Sequence, residues 1–272
     1  MKYYLIDGYN LAFRCFYAMP DLSRSDGFPT GALHAFFASL LKLSSSDTPH
    51  STAVFFDKGG SKRHLEIFPQ YKANRSEAPD NFRRQIPQMK YLCEIFGFEP
   101  TESEGIEADD LLGSAAVALK AQGHSVAVVS ADKDFAQLVS PNIRQLLPPK
   151  PRMKEWTELA LIGDTADNIP GIDGVGPKTA AKWLKDFGDI ETLIHRADWI
   201  KPERFRRVVA DSADILRRNL ALVTLDTSLD VPLAPSKTPD FGEIIHFLEE
   251  MEMKKSLFAL RNFAKDQYQI SI

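Results

Sequence analysis

Three short apolar runs that each end in an aspartate constrain the fold of this chain more than any other feature of its sequence. They are residues 3–6 before Asp7, residues 53–56 before Asp57, and residues 126–131 before Asp132. Each run has the length and composition of a buried strand. The segments between them have helical periodicity, most clearly over residues 30–43, 81–96 and 107–121. This alternation predicts an α/β fold with a parallel sheet and helices on its faces.

The three aspartates follow the carboxyl ends of their predicted strands. Because parallel strands end at the same edge of a sheet, and ligands of such folds bind beyond that edge, the three side chains are expected to share one crevice. Six further acids fall at predicted helix starts or turns: Glu107, Asp109, Asp110, Asp134, Asp164 and Asp167. Taken singly, each acid could simply cap a helix or stabilise a turn.

A cluster of nine carboxylates would repel itself unless cations were bound. Hard oxygen ligands in this number suit Mg²⁺ or Mn²⁺, and a site with two or more such ions is typical of phosphodiester hydrolysis. The net charge of −4 is unusual for a protein that binds nucleic acid. Without the nine acids, however, the rest of the chain would be net positive. The sequence therefore favours an acidic, metal-binding pit in a basic face.

Composition excludes several other classes. The 272 residues, of which 44% are hydrophobic, are enough for a sizeable core. No leader precedes the first strand and no apolar run reaches membrane-spanning length, which predicts a cytoplasmic protein. Cys15 and Cys93 lie in apolar helical patterns without metal-ligand spacing, so they are predicted to be buried thiols rather than zinc ligands.

The domain organisation follows from where the strand signals stop. We predict an α/β core over residues 1–148 and a helical lobe over residues 153–272, with the proline-rich stretch 147–152 as the boundary. The glycine-rich run 171–179 resembles a phosphate-binding P-loop, but Pro177 stands where that loop needs its lysine. A hairpin between two helices fits better, with Pro177 as the first residue of the second helix. Lys178 and Lys182 would then lie on one helical face.

Seven motifs, in order along the chain, resemble those of the flap endonuclease and 5′→3′ exonuclease family. This family includes the 5′ nuclease domain of bacterial DNA polymerase I and phage 5′-exonucleases. The motifs are Leu5-Ile6-Asp7-Gly8 with Arg14, Pro29-Thr30-Gly31-Ala32, Phe56-Asp57, Tyr71-Lys72-Ala73-Asn74-Arg75, Gly105-Ile106-Glu107-Ala108-Asp109-Asp110, Asp132-Lys133-Asp134, and residues 163–171.

The resemblance implies a resolvase-like or PIN-like nuclease core, a helical arch over residues 71–96, and a helix-hairpin-helix element over residues 164–187. It implies that two or more divalent ions are held by Asp7, Asp57, Glu107, Asp109, Asp110, Asp132, Asp134, Asp164 and Asp167. It also implies that Lys72 and Arg75 approach the scissile phosphate, that Tyr71 stacks on a base, and that Arg14 contacts substrate. DNA is expected to contact Gly174, Val175, Gly176, Lys178, Thr179, Lys182, Arg83 and Arg84, with Lys90 also following the strand and K⁺ at the hairpin.

The predicted activity is cleavage of DNA at a 5′ flap, a 5′ end or a junction of single and double strands, leaving a 5′-phosphate and a 3′-hydroxyl. An RNA–DNA hybrid is a further possible substrate, and a monomer is expected. Because the chain ends at Ile272, it resembles a free-standing nuclease. Residues 142–164 are about fifteen residues shorter than the polymerase-type pattern. Two alternatives follow, namely a catalytically weak module that binds branched DNA and a related ribonuclease.

Overall fold

A five-stranded parallel sheet forms the centre of the first half of the chain. The computed structural model describes residues 1–46, 49–147 and 157–270. The strands are β1 (Lys2–Asp7), β2 (Ser51–Phe55), β3 (Glu99–Thr101), β4 (Ser125–Val129) and β5 (Ile143–Leu146). Their order across the sheet is β3-β2-β1-β4-β5. The predicted parallel α/β fold is therefore confirmed, with β1 at its centre.

The sheet register places the carboxyl ends of the central strands level with one another. Asp7 pairs with Phe55 of β2, and Ile6 pairs with Val129 of β4. Asp57 and Asp132 follow these two strands within two or three residues. The third predicted strand ends two residues earlier than expected, because the chain leaves the sheet at Ser130. The three aspartates thus lie at one edge, as the sequence predicted.

Helices cover both faces of the sheet. In the first half they are α1 (Gly8–Ala18), α2 (Gly31–Ser46), α3 (Lys62–Ile67), α4 (Asp80–Arg83), α5 (Ile86–Ile95) and α6 (Ala108–Ala121). Side chains alternate along each strand, so Ile6 and Val54 join one hydrophobic cluster with α1, α2 and α5, whereas Leu5 and Phe55 join another with α6. A 3₁₀ helix, Lys133–Leu138, follows β4.

The predicted helix over residues 81–96 is broken in two. Gln85 is buried between α4 and α5, and its side-chain oxygen accepts a hydrogen bond from the Leu33 amide of α2. Pro87 lies in the first turn of α5, where its missing N–H costs nothing. Residues Ile86, Met89 and Leu92 of α5 are buried in the cluster beneath the sheet. The later part of the predicted arch is therefore a core helix.

The second half begins with five helices that surround a separate hydrophobic cluster centred on Trp183. These helices are α7 (Glu158–Ile162), α8 (Pro177–Phe187), α9 (Ile190–His195), α10 (Arg204–Asp211) and α11 (Ala213–Val223). A short 3₁₀ turn, Ala197–Trp199, joins α9 to α10. Between α7 and α8, β6 (Gly163–Asp164) pairs antiparallel with β7 (Ile169–Pro170).

The predicted helical lobe, residues 153–272, contains two segments that are not helical. Strands β6 and β7 have two residues each, which is too short for a recognisable alternation. Residues 225–240 contain no helix and run back along the core, where Leu225, Leu229 and Val231 pack near α6. The last two helices, α12 (Phe241–Glu250) and α13 (Lys254–Tyr268), then pack with α2 and α5 in the cluster of the first half.

The predicted boundary between core and lobe lies outside the described residues, since residues 148–156 are not described. The hydrophobic cluster of the lobe ends at Val223, whereas we predicted the lobe to continue to residue 272. In the part of the chain that the structure describes, no helix is both long and apolar enough to cross a membrane.

Candidate metal and nucleic-acid site

The carboxylates singled out in the sequence form one electrostatic network at the carboxyl edge of the sheet. Six of them line a single small pocket: Glu107, Asp109, Asp110, Asp134, Asp164 and Asp167. The other three connect to this group through Asp109, whose pKa is raised well above its ordinary value by burial and then by Asp7, Asp132 and Asp57. The structure therefore brings all nine predicted acids together, including the two from beyond the shortened segment.

Local hydrogen bonds fix the acids that end the strands. Asp7 caps α1 through Oδ1, which accepts from the Asn10 amide at 2.9 Å, while Oδ2 accepts from Ser130 Oγ at 2.9 Å. Asp57 Oδ1 accepts from the Ala108 amide at the start of α6, at 2.7 Å. Glu107 stands at the N-cap position of that helix, but its side chain does not cap it. Helix capping alone therefore does not explain the acid at Glu107.

Burial and mutual repulsion raise the pKa values of several of these carboxylates in the ion-free protein. The pKa of Asp7 is raised to about 7 by burial, with Asp132 and Asp57 adding to the effect. The pKa of Asp134 is also raised to about 7, by burial and by Asp132. Asp134 Oδ1 is buried and has no hydrogen-bond donor within reach. A buried carboxylate oxygen without a donor is what a hard divalent cation would satisfy.

The acids do not form a ready-made ion cage. Across residues 1–46, 49–147 and 157–270, no three His, Cys, Asp or Glu side chains converge with the spacing of metal ligands. Several carboxylate oxygens are instead paired with cationic side chains. Lys72 Nζ lies 2.5 Å from Glu107 Oε1, and Lys133 Nζ lies 2.7 Å from Asp164 Oδ2. Small side-chain rotations would have to accompany ion binding.

Glu107 differs from its neighbours because the Lys72 cation and the His64 ring contact its carboxylate. Burial alone would raise its pKa, but His64 and Lys72 lower the pKa to about 2. His64 is almost fully buried, and its Nδ1 lies 3.2 Å from Glu107 Oε2. Glu107 is therefore anionic at neutral pH, whereas burial and neighbouring acids raise the pKa values of Asp7, Asp109 and Asp134. His64 was not predicted as a site residue, because it lies outside the seven motifs.

Two segments that are far apart in the sequence dock on each other beside the acids. Lys72 donates its amide to the Asp167 carbonyl at 3.0 Å, and Asn74 Nδ2 donates to the Thr165 carbonyl at 2.7 Å. Arg75 forms an ion pair with Asp167. Lys72 and Asn168 both adopt left-handed backbone angles, with φ of 55° and 60°. Such conformations are costly outside glycine and are concentrated at functional sites.

Tyr71 is buried beside the acids, and its stacking on a base stays a prediction. The residue is 7% exposed. Its ring packs against His64, with centroids 4.6 Å apart, and Lys72 Nζ lies over it at 4.8 Å from the centroid. The hydroxyl donates towards Glu107 at 3.3 Å and towards Asp167 at 3.4 Å. Tyr71 therefore ties the two acidic segments together. Burial and these two acids raise the pKa of its hydroxyl.

Asp110 lines the same pocket as the other acids but is also held by groups from the second half of the chain and by Arg63. Its Oδ1 accepts from the Asp226 amide at 2.8 Å, and its Oδ2 lies 3.9 Å from Arg63 Nη1. Arg63 Nη2 in turn donates to the Ala221 carbonyl near the end of α11, at 3.0 Å. Asp110 thus holds the lobe to the core, which competes with its predicted role as an ion ligand. Arg63 and Lys133 are further residues that the sequence analysis did not assign.

The remaining predicted cations lie outside the acid network. Arg14 is exposed on α1 and lines a cavity of about 440 Å³ together with Lys42 and Leu146.

The predicted cations of the arch each contact a neighbouring side chain. Arg83 pairs with the exposed acids Glu77 and Asp80. The Arg84 guanidinium lies over the Phe28 ring, at 5.1 Å from its centroid, and Lys90 pairs with Glu102. Contact of these cations with DNA stays a prediction.

The predicted hairpin element has the expected turn and second helix. Pro177 is the first residue of α8, and Gly176 is its N-cap. Gly174 has a φ of 76°, a conformation that favours glycine, and it lies against the Phe205 ring. Val175 is buried in the Trp183 cluster, so only its backbone can face a ligand. Lys178 and Lys182 are exposed on the outer face of α8, and Thr179 lies between them half-buried.

Ion-free stability is expected to rise as pH falls from 7 to about 5. Asp7 and Asp134 have ordinary values of 3.8 but pKa values of about 7 when folded, so the folded state binds more protons in this window. Each group contributes a slope of up to about 1.4 kcal/mol per pH unit. Glu107, with its lowered pKa, loses stabilisation only below its ordinary value of 4.5.

Urea denaturation in EDTA between pH 5 and pH 7 measures this slope. Saturating Mg²⁺ should flatten the profile or reverse it, because cations replace the protons. A profile in EDTA that is flat, or that rises with pH, would contradict the repulsive acid cluster.

Comparison with known proteins supports the same assignment of chemistry. A family model described as the N-terminal resolvase-like domain of 5′-3′ exonuclease matches residues 2–163, and one described as the C-terminal SAM fold of 5′-3′ exonuclease matches residues 154–242. A 5′-3′ exonuclease of Aquifex aeolicus is 36% identical over 274 residues, which cover 93% of each protein.

A thermostable DNA polymerase I of Thermus thermophilus is 38% identical over 265 residues, or 91% of this chain. The chain spans about a third of the length of that polymerase, with 32% of it covered. Among solved structures, a flap endonuclease of bacteriophage T5, in complex with DNA and metal ions, has a TM-score of 0.67. It is 22% identical, and the match covers 97% of this chain and 100% of the phage protein.

Proposed function

The chain belongs to the 5′-3′ exonuclease family, and from this premise we propose that it is a divalent-metal-dependent 5′ nuclease that hydrolyses DNA phosphodiesters at flaps, 5′ ends and junctions. The observation that carries the proposal is the convergence of nine acids with Lys72 and Arg75 at the carboxyl edge of one parallel sheet. The products would be a 5′-phosphate and a 3′-hydroxyl.

The acids suit two or more hard cations. Asp134, with its buried unpartnered oxygen, and Asp7 and Asp109, with their raised pKa values, gain most from a bound ion. The set is completed by Asp57, Glu107, Asp132, Asp164 and Asp167, while Asp110 accepts a hydrogen bond from the Asp226 amide. Bound Mg²⁺ or Mn²⁺ would supply charge stabilisation to the phosphoryl oxygens and activate the attacking water. The phage protein of similar fold was solved with metal ions, which supports a metal-dependent site.

Lys72 and Arg75 supply the fixed positive charge of the site. Both pair with acids, Lys72 with Glu107 and Arg75 with Asp167. The acids raise the pKa of both cations against the opposing effect of burial, so both stay charged. A phosphodiester that binds beside the acids can accept hydrogen bonds from Lys72 and Arg75. Glu107 and Asp167 would then be free to bind the metal ions. Donors aimed at developing charge are a large contribution to such catalysis.

The outer face of α8 would hold the duplex on one side of the cut. Exposed Lys178 and Lys182 lie one helical turn apart and can contact successive phosphates. Backbone amides of the turn around Gly174 and Gly176 can approach the DNA closely, and carbonyls of that turn are the expected ligands of a K⁺ ion. We assign the protein to bacterial DNA replication or repair in the cytoplasm, at the nucleoid, since its relatives are a bacterial DNA polymerase I and a bacterial 5′-3′ exonuclease. We expect it to act as a monomer.

The test uses a 5′-flap duplex, labelled at either end in parallel, in Mg²⁺, in Mn²⁺ and in EDTA. Metal-dependent release of the flap near its junction is the expected result. Binding without cleavage in either metal would favour the branched-DNA-binding module, which has a basis in the shortened segment before α7. Faster cleavage of single-stranded RNA than of the flap would favour the ribonuclease. A matched RNA–DNA hybrid in the same assay shows whether hybrids are also cut.

Replacing both Lys178 and Lys182 by alanine should weaken duplex binding without changing the cleavage rate of bound DNA. Losing two phosphate contacts is expected to reduce the slope of log affinity against log salt by about 2. Binding measured in EDTA at several salt concentrations gives this slope. Arg261→Ala with Lys265→Ala is the matched control, because this pair is also exposed and four residues apart on a helix. An unchanged salt slope would refute the role of α8.

A further inference from the structure

Trp199 is the most exposed tryptophan side chain described, at 77%, and no function discussed so far uses it. It ends the 3₁₀ turn between α9 and α10. The turn is held firmly, because Ala197 and Ile200 on either side are buried and the Ile200 carbonyl accepts from Arg206 Nε at 3.1 Å. The buried neighbours provide the packing of this turn. Trp199 is therefore presented to solvent on a fixed support rather than needed by the core.

A single exposed apolar side chain needs no explanation, but Trp199 is surrounded by cations. It lines a shallow pocket of about 240 Å³ together with Lys182, Arg196 and Lys201, all of which are exposed. Asp186 is the one acid on the pocket wall. Among the described residues, none of the three cations forms an ion pair with a carboxylate. The pocket therefore has a net positive rim around an available aromatic face.

The pocket continues the cationic face of α8. Lys182 belongs both to that face and to the pocket, and Lys178 lies one turn nearer to the hairpin. A strand whose phosphates follow α8 away from the hairpin would therefore reach Trp199. Bases inside a duplex are already stacked on each other, so along the duplex an exposed indole finds no free base face, whereas every unpaired base offers one. The combination of aromatic ring and cations matches single-stranded DNA.

We propose that Trp199, Lys182, Arg196 and Lys201 form a subsite for single-stranded DNA that continues from the duplex held by α8. This inference rests on the proposed function, in that the hairpin and α8 grip duplex DNA. The subsite would favour substrates in which the bound duplex is followed by an unpaired stretch, such as a gapped or resected molecule, over a blunt duplex. It would act on affinity and leave the chemical step unchanged.

The test compares two flap substrates that are identical except at the far end of the duplex. One ends blunt, and the other carries a single-stranded thymidine extension of about ten nucleotides, within the site sizes of single-strand-binding grooves. Affinities are measured in EDTA, so that cleavage does not interfere. Trp199→Ala should weaken binding of the extended substrate by at least about fivefold, and of the blunt substrate by less than about twofold. Quenching of tryptophan emission by an oligothymidine should decrease in the same variant.

Phe258→Ala provides the control, because Phe258 is 68% exposed on α13 and lies outside the pocket. It should change neither affinity. Equal weakening of both substrates by Trp199→Ala, or of neither, would overturn the subsite. Cleavage of the blunt flap substrate in Mg²⁺ is assayed in parallel. If neither the unmodified protein nor any variant cleaves this substrate, the nuclease proposal is refuted. The difference between the two affinities still tests whether the single-stranded subsite exists.

Discussion

Asp7→Asn is expected to reduce metal-dependent DNA cleavage by about a thousandfold or more, while DNA binding in EDTA changes by less than about threefold. Loss of an ion ligand removes several kcal/mol of stabilisation from the transition state, and each 1.36 kcal/mol is a tenfold change in rate. The fold should survive. The amide oxygen of asparagine can still accept from the Asn10 amide and cap α1, as Asp7 Oδ1 does.

Loss of this carboxylate should also stabilise the ion-free protein at pH 7. Its pKa is raised by burial, Asp132 and Asp57, so its charge is unfavourable in the folded state. Asp240→Asn is the matched control, because Asp240 caps α12 in the same way but lies away from the acid network. Flap cleavage, binding in EDTA and thermal denaturation distinguish the possible causes. Equal loss of binding and cleavage in a folded variant would argue against the ion-ligand role.

Lys72→Asn is expected to slow cleavage by about a hundredfold to a thousandfold, with little change in duplex binding. The estimate is the usual cost of removing one donor that stabilises developing charge. Asparagine is the appropriate replacement because it tolerates the left-handed backbone that Lys72 adopts, with its φ of 55°. The loss of rate can then be attributed to the missing cation rather than to a strained turn. Single-turnover cleavage of the flap substrate measures this effect.

Lys72→Arg tests whether charge alone is sufficient. Arginine keeps the cation that pairs with Glu107 but changes its shape, so partial recovery of the rate is expected. Lys265→Asn, at an exposed position on α13, controls for the loss of a surface charge. If Lys72→Asn cleaves at the rate of the unmodified protein, the cation only neutralises Glu107 in the ion-free protein and does not act on the phosphate.

The sheet and its acidic edge could be predicted because they depend on local patterns. A buried parallel strand is a short apolar run, and the residue after it necessarily lies at the carboxyl edge, as Asp7 and Asp57 do. Strands β3 and β5 were not predicted. Glu99–Thr101 has three residues including a proline, and the four residues of Ile143–Leu146 do not alternate between apolar and polar side chains. They become strands because a neighbouring strand pairs with them.

The orientation of side chains within the site could not be predicted. Tyr71 and Asp110 carry the same sequence signal as their neighbours, yet Tyr71 is buried against His64 and Asp110 faces Asp226. Both orientations depend on a partner more than ninety residues away in the sequence. Tyr71 contacts Asp167, and Asp110 contacts Asp226. Sequence spacing on one helix shows which side chains share a face but not which partner that face meets.

The sequence by itself determined the parallel fold, the edge at which the acids collect, and Pro177 as the start of α8, because each follows from short-range periodicity or from the conformational limits of single residues. The tertiary structure alone decided that α12 and α13 return to the first hydrophobic cluster, that Lys72 and Arg75 meet Glu107 and Asp167, and that Trp199 stands among cations. These features depend on contacts between distant segments, whose free energy is set by the three-dimensional packing and leaves no periodic pattern in the chain.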